Sequence, residues 1–431
     1  MPAYPVILLA FVVLALLGRR VEGSWIAPAT IWPVAWAVYA AGTLLLVEQT
    51  PHLTPALLWI LLNCAVFLLA AVSSRAVRQS TSLSAADCAA SQHFPRLGAI
   101  TLVLSAAAFL ALFGATRAAG FAPADVLSLP SLARIAVASR ATFEFGGQQQ
   151  GLVARLLLVL AYTGAPFGGM YFRLSRGTAK KALALAPLVA LIFIGFVSGS
   201  RMGVLFGGSF WLAAFVSASL LAASGSGRVA TRLFFLVGVL ALVLIAGGSI
   251  AVQFVRYFAG SERTVTRIVA EPFGFLAAFG QWFESSGMRG SGLTAGFYTF
   301  ERLGRMLGAD FPAVAAIDVG FTSSNTHTVF RGLIEDFGTA GSLVVVGAVG
   351  FVASVAYRRV VTGHSTWVAG LTLVYAFLFT SMALSPFAYM GPAIAGAVFV
   401  TYVIFAARPH GISRALFAGL ASRSLPDRIG A

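Results

Sequence analysis

The chain has 431 residues and a formal net charge of +15, yet only 10% of its residues are charged and 59% are hydrophobic, with a mean hydropathy of +0.90. An ordinary soluble domain carries roughly 25% charged residues, so a water-solvated core is excluded and the bilayer is the solvent. Nucleic acid is not the partner the charge calls for. The cations, all arginine except Lys180 and Lys181, lie between apolar runs instead of forming one basic, aromatic-bearing module.

In chain order the apolar runs are 2–18, 30–47, 55–72, 97–116, 152–172, 182–198, 202–223, 233–251, 339–357, 366–384 and 388–406. Each is long enough to cross about 30 Å of hydrocarbon at about 1.5 Å per residue. The expected fold is therefore all-α, a polytopic membrane protein of about eleven transmembrane helices. The first run has no basic region before it and carries Arg19 and Arg20 after it, the reverse of a secretory signal, and reads as a retained helix. Cys64 lies within a run and Cys88 in a polar loop, with neither metal-ligand spacing nor a disulfide partner in prospect, so both read as structural. The segment 117–151, with Arg134, Arg140 and Glu144, reads as an interfacial helix. Gly164-Ala165-Pro166 and Ser385-Pro386 are the main expected helix breaks. Lys180 and Lys181 lack the preceding glycines of a phosphate-binding loop, which argues against ATP hydrolysis.

Four regions result: spans one to eight over 1–251, a large outer segment over 252–338, spans nine to eleven over 339–406, and a basic tail over 407–431. Placing the loop after the first run in the cytoplasm puts seventeen cations inside (Arg19, Arg20, Arg75, Arg78, Arg96, Arg173, Arg176, Lys180, Lys181, Arg228, Arg232, Arg358, Arg359, Arg408, Arg414, Arg423 and Arg428). Twelve remain outside, and the positive-inside rule selects this orientation, N-terminus out and C-terminus in. The tail reads as a topogenic anchor near anionic lipid.

Arginines on the outer side run against that rule and call for a compensating use. Arg256, Arg263 and Arg267, spaced by seven and four, share one face if 253–269 continues helically toward the interface. Their guanidinium forks suit a phosphate or diphosphate at headgroup depth, and snorkelling to lipid headgroups suits them too. Arg201 sits in the minimal hairpin Ser198-Gly199-Ser200-Arg201 between spans six and seven. A charge at such a boundary is a candidate site residue; interfacial snorkelling is again the alternative. The stretch Ser323-Ser324-Asn325-Thr326-His327-Thr328-Val329-Phe330-Arg331 continues through Glu335 and Asp336 to Gly338. His327, Arg331 and Glu335 recur at every fourth position and line one helical face, with Asn325 or Thr326 as cap. That face suits general-base activation of a hydroxyl beside an anionic leaving group, and it equally suits an interfacial turn with a local Arg–Glu pair. Glu335 and Asp336, being adjacent, point apart on a helix, so no metal site is expected. Trp282, Phe283, Phe297, Tyr298 and Phe300 suit either stacking on sugar rings or packing of the segment onto the bundle.

At these residues the sequence resembles the Wzy-type repeat-unit polymerases of bacterial O-antigen and exopolysaccharide. Asn325-Thr326-His327-Thr328-Val329-Phe330 followed by Glu335-Asp336-Phe337-Gly338-Thr339-Ala340-Gly341 looks like the segment with which their large outer loop re-enters the membrane. The Gly199-Ser200-Arg201 hairpin is similar to their other arginine element. The related O-antigen ligases carry a histidine, a small polar residue, nine residues, a glycine, two residues and another small residue. His327, Thr328, Gly338 and Gly341 reproduce that spacing. Thr328 departs from the ligases' usual Asn, Ser or Gln, which favours the polymerase and leaves the ligase as the alternative. The resemblance covers about 150 residues, from about Ser198 to Gly350.

What the resemblance implies is a GT-C-like glycosyltransferase of the bacterial inner membrane, with its active site facing the periplasm. Its donor and acceptor would be undecaprenyl-diphosphate-linked oligosaccharides. No cofactor or metal is expected, and a chain-length regulator is a candidate partner. Carried over, Arg201, Arg256 and Arg331 are the expected diphosphate ligands, and His327 or, failing that, Glu335 the expected proton acceptor. Arg263, Arg267, Asn325 and Tyr298 are candidate substrate contacts. A transporter or flippase is the competing class, although such proteins usually carry ionisable residues near the midplane of their spans.

Overall fold

The computed structural model describes residues 3–47, 52–76, 94, 96–140, 152–223, 247–258, 271–287, 328–383 and 388–406. It also describes the single positions 236, 239, 240, 243, 294, 296, 298, 299, 317, 318, 323, 324 and 385. Thirteen α-helices carry the described fold: α1 (Ala3–Glu22), α2 (Pro28–Leu46), α3 (Leu53–Ser73), α4 (Leu97–Ala118), α5 (Leu129–Arg140), α6 (Leu152–Leu174), α7 (Thr178–Ser198), α8 (Met202–Ala222), α9 (Gly248–Phe258), α10 (Gly274–Trp282), α11 (Val329–Val361), α12 (Val368–Thr380) and α13 (Met390–Ala406). The described strands are β1 (Ile317–Asp318) and β2 (Ser323–Ser324), which pair antiparallel with Ile317 opposite Ser324.

Among the described residues, eight helices are long and apolar enough to cross a membrane: α1 to α4, α6 to α8 and α11. This is a polytopic helical membrane protein. The runs at 366–384 and 388–406 correspond to shorter apolar helices, Ser365–Thr380 and Gly391–Ala406. Most of the run at 233–251 lies outside the described residues, as do Cys88, Pro386 and the tail from 407.

Burial sorts these helices as a bilayer requires. On α1, Val6 and Leu9 are more than 60% exposed, as is Val103 on α4, which places outward faces against lipid. By contrast α8 is buried along its whole apolar length, with α6, α7 and α12 packed around it. With no hydrophobic difference between lipid and leucine to drive association, close approach depends on small residues. On α6 a Cβ at Gly168 would meet the Ala184 carbonyl of α7 at 2.5 Å, and one at Gly169 the Trp211 carbonyl of α8 at 2.0 Å. Trp211 in turn donates its indole N–H to the Ala184 carbonyl at 3.1 Å. Pro166, expected to break the span, lies inside α6 without ending it, since the packed neighbours on both sides hold the helix through the missing hydrogen bond. Gly169→Ala is therefore expected to lower stability by about 1–3 kcal/mol through overpacking. Gly114→Ala on α4, where an added Cβ meets nothing within 4 Å, should leave stability the same or slightly higher. Melting of the two detergent-solubilised variants checks the contrast.

The two ends of the bundle differ in chemistry. At one, Glu22 accepts hydrogen bonds from the Ala29 N–H (3.1 Å) and the Ser354 hydroxyl (2.5 Å), within electrostatic reach of Arg75 and Arg358. Arg358 also donates to the Ser74 hydroxyl. This polar knot ties the α1–α2 turn to the end of α11. The other end carries the α7–α8 turn and the chain around α9, α10 and the start of α11.

Candidate functional site

The α7–α8 turn is as short as its sequence suggests. Gly199 takes a left-handed conformation (φ 58°), which glycine adopts without steric cost. The N–H groups of Gly199 and Ser200 fold back onto the Phe196 and Gly195 carbonyls. Arg201 then becomes the N-cap of α8. Helix α5 packs beside this turn, with the Ala136 carbonyl 3.7 Å from where a Gly199 Cβ would lie. Helix α9 packs on α5, α7 and α8, so the Arg256-bearing helix reaches the same end as Arg201. Only the helical placement of Arg256 is described; Arg263, Arg267, Asn325 and His327 lie outside the described residues.

The middle of the outer segment enters the bundle. Helix α10 is buried against α2 and α3 and meets α11 where the Phe279 and Phe330 rings lie 6.2 Å apart, and α2 secures its start. The Tyr39 hydroxyl donates to the Pro272 carbonyl at 2.6 Å, the Tyr39 and Phe273 rings stack at 5.5 Å, and Gly42 leaves room for the Phe273 ring, which a Cβ would strike at 2.3 Å. Trp282 and Phe283, candidates for sugar stacking, are 6% and 4% exposed and pack instead on Phe279 and on Trp59 of α3. Phe297 and Phe300 lie outside the described residues.

Helix α11 is two helices joined at Gly338, whose φ of 70° and ψ of 176° break the helical path. The first piece, from Val329, is an arm set into the bundle, whereas the sequence alone offers either a reacting helical face or an interfacial turn. Phe330 is wholly buried against Trp32, Trp36 and Phe279, and this aromatic packing draws the arm inward. Its first N–H, of Val329, donates to the Ser381 carbonyl at 2.9 Å, while the Trp32 indole donates to the Ser381 hydroxyl at 3.0 Å.

The arm carries charge into this apolar setting as a pair. The Arg331 Nε–H donates to Glu335 Oε1 at 2.9 Å, with both side chains only 10% exposed. Removing an ion from water is costly, and a hydrogen-bonded counter-ion offsets much of that cost. Glu335 is thus a counter-ion first, and taking up a proton would neutralise it and weaken its pairing with the guanidinium.

Two arginines meet α10. The Arg201 guanidinium lies 4.9 Å from the centroid of the Phe275 ring, and that of Arg331 lies 5.2 Å from the Trp282 ring. Residues 275 and 282 are seven apart, which puts both rings on one face of α10, separated by about 10 Å along its axis. Cations over ring faces are held by the ring quadrupole, more strongly where water is excluded. Arg201 also acts electrostatically on the nearby Tyr39 hydroxyl. The structure therefore brings Arg201, Arg331 and Glu335 to one helix that the sequence reading did not single out. The signal was there in the apolar spacing of Phe275, Phe279 and Trp282, but nine residues are too few to register as a span.

Tyr298 joins this group from the adjacent face of the arm, where its backbone N–H is held by Asp336 at 2.7 Å. Among the described residues, no three His, Cys, Asp or Glu side chains converge as a metal site would require. No protein-family profile, no curated protein and no solved structure matches this chain.

Proposed function

We propose that this protein is a membrane-embedded, GT-C-like glycosyltransferase with eleven spans that polymerises undecaprenyl-diphosphate-linked oligosaccharide repeat units. Its site faces the periplasm from the inner membrane. The observation that carries the reading is the placement of two guanidinium groups, Arg201 and Arg331, on the rings of Phe275 and Trp282 along one buried face of α10. Two arginines set against aromatic rings at one end of the bundle, Arg331 buried, suit an anionic, lipid-anchored ligand that arrives from the membrane side, and a polyprenyl diphosphate has that chemistry.

In the proposed reaction an acceptor sugar hydroxyl attacks the anomeric carbon of the donor. A new carbon–oxygen bond forms as the bond to the diphosphate breaks, and the diphosphate leaves with the electron pair. Arg201 and Arg256 stabilise that departing charge. Arg331 contributes once its pairing with Glu335 loosens, and His327, or Glu335 after the pair opens, takes the acceptor proton. Arginine can neutralise the leaving group without a divalent ion, so chelators should not inhibit.

The test is to incubate the purified protein in vesicles with a lipid-diphosphate repeat unit, with and without chelator. A ladder of lengthening products with release of polyprenyl diphosphate is expected in both. Counterflow of the lipid-linked sugar without elongation would mark a carrier. Single transfer onto a preformed lipid core, without a ladder, would mark a ligase.

A further inference from the structure

Asp336 follows Glu335 on the arm of α11 but turns to a different face. Its carboxylate, in a residue 1% exposed, is filled by one segment of the chain. The Thr294 hydroxyl donates to Oδ1 at 2.6 Å, the Tyr298 N–H to Oδ1 at 2.7 Å, and the Thr299 N–H to Oδ2 at 2.5 Å. The Glu335 carbonyl accepts from the N–H and the hydroxyl of Thr294, both at 3.3 Å. One turn earlier the segment packs on Gly332, where a Cβ would come into van der Waals contact with the Tyr298 Cβ at 3.7 Å and the Thr299 nitrogen at 3.8 Å.

Gly332 and Asp336 thus form a seat on the arm, about 100° around the helix from the face that holds Arg331 and Glu335. The backbone of the incoming segment lies against Gly332, and the carboxylate fastens it with charge-assisted hydrogen bonds, roughly twice as strong as neutral ones. We infer that Asp336 is a positioning residue. It holds Thr294, Tyr298 and Thr299 on the arm and so sets Tyr298 beside the Arg331–Glu335 pair, where Tyr298 contacts the sugar of the acceptor. The sugar contact rests on the transferase reading; the holding of the segment does not.

Asp336→Asn in the full-length protein in nanodiscs tests both parts. The amide preserves size but sets an NH₂ group against an N–H that needs an acceptor. Losing that bond should speed deuterium exchange at Tyr298 and Thr299 by roughly 10- to 100-fold, with exchange in α8 unchanged. In the polymerisation assay KM for the repeat unit should rise about tenfold with kcat within about threefold, the pattern of lost ground-state binding. Tyr298→Ala should reproduce that rise, and the double variant should be no worse than the poorer single one, because both act through the same contact. Unchanged exchange at the two amides would overturn the positioning role, whatever the activity. Faster exchange with an unchanged KM, or a double variant whose effects multiply, would overturn the link to the acceptor. A wild-type protein that makes no polymer removes the transferase reading, and the exchange result still decides the role of Asp336. Should Asp336→Asn not fold, Thr294→Val removes only the hydroxyl that is shared between Asp336 and the Glu335 carbonyl and must shift the same amides in the same direction.

Discussion

Arg201→Ala is expected to reduce polymer formation by about 10²- to 10³-fold while the protein still folds, the scale seen when one preorganised donor to a developing anion is removed. The expectation follows from position. Arg201 caps α8, whose apolar length is wholly buried, so its backbone is fixed at the start of a helix packed on all sides. Its guanidinium is aligned by the Phe275 ring, leaving less rotamer freedom to be lost when a diphosphate is bound. Arg201→Lys keeps the charge but neither the planar fork nor the stacking, and should recover only part of the rate. Phe275→Leu leaves the charge in place and removes the ring, so it should weaken turnover less than Arg201→Ala does. Turnover of Arg201→Ala within about threefold of wild type, with an unchanged melting curve, would remove Arg201 from the site.

Breaking the Arg331–Glu335 pair from one side should be costly in a different currency, stability. Arg331→Met or Glu335→Leu alone strands a charge that is only 10% exposed, and a loss of about 3–5 kcal/mol is expected for each. Replacing both residues together removes both desolvation costs at once, and the double variant should return to within about 1 kcal/mol of wild type. Equilibrium unfolding in mixed micelles measures the cycle. Additive losses would show that the two side chains are not coupled across the arm. Activity should not follow stability here: the double variant is expected to fold and remain inactive, because Arg331 faces Trp282 beside the proposed diphosphate position.

The Arg331–Glu335 pair shows how far local spacing reaches. Two residues four apart on a helix meet whatever the surrounding fold does, and that contact was legible in the sequence. Spacing offered a reacting face or an interfacial turn, and neither of them fixed how deeply the segment sits. Phe330 decides it, by packing among Trp32 and Trp36 of α2 and Phe279 of α10. Those partners come from distant parts of the chain, and no local pattern announces them. The same holds for Asp336, whose three donors lie 37 to 42 residues away. Read locally, it was merely the carboxylate that points away from Glu335.

Span existence belongs to the sequence, because twenty consecutive apolar side chains have no stable place except a bilayer, and hydrophobicity summed over such a length needs no knowledge of neighbours. The tight Gly199 turn, and the presence of a cation immediately after it, are likewise local and were set by residue type alone. Only the tertiary structure decided that α10, too short to span and too apolar for an exposed loop, sinks into the bundle and offers one ring to Arg201 and another to Arg331. The physical reason is that burying a short helix beside the cations of its neighbours is favourable only where other helices supply aromatic faces, counter-ions and small residues at matching positions, and those positions are a property of the packed bundle as a whole.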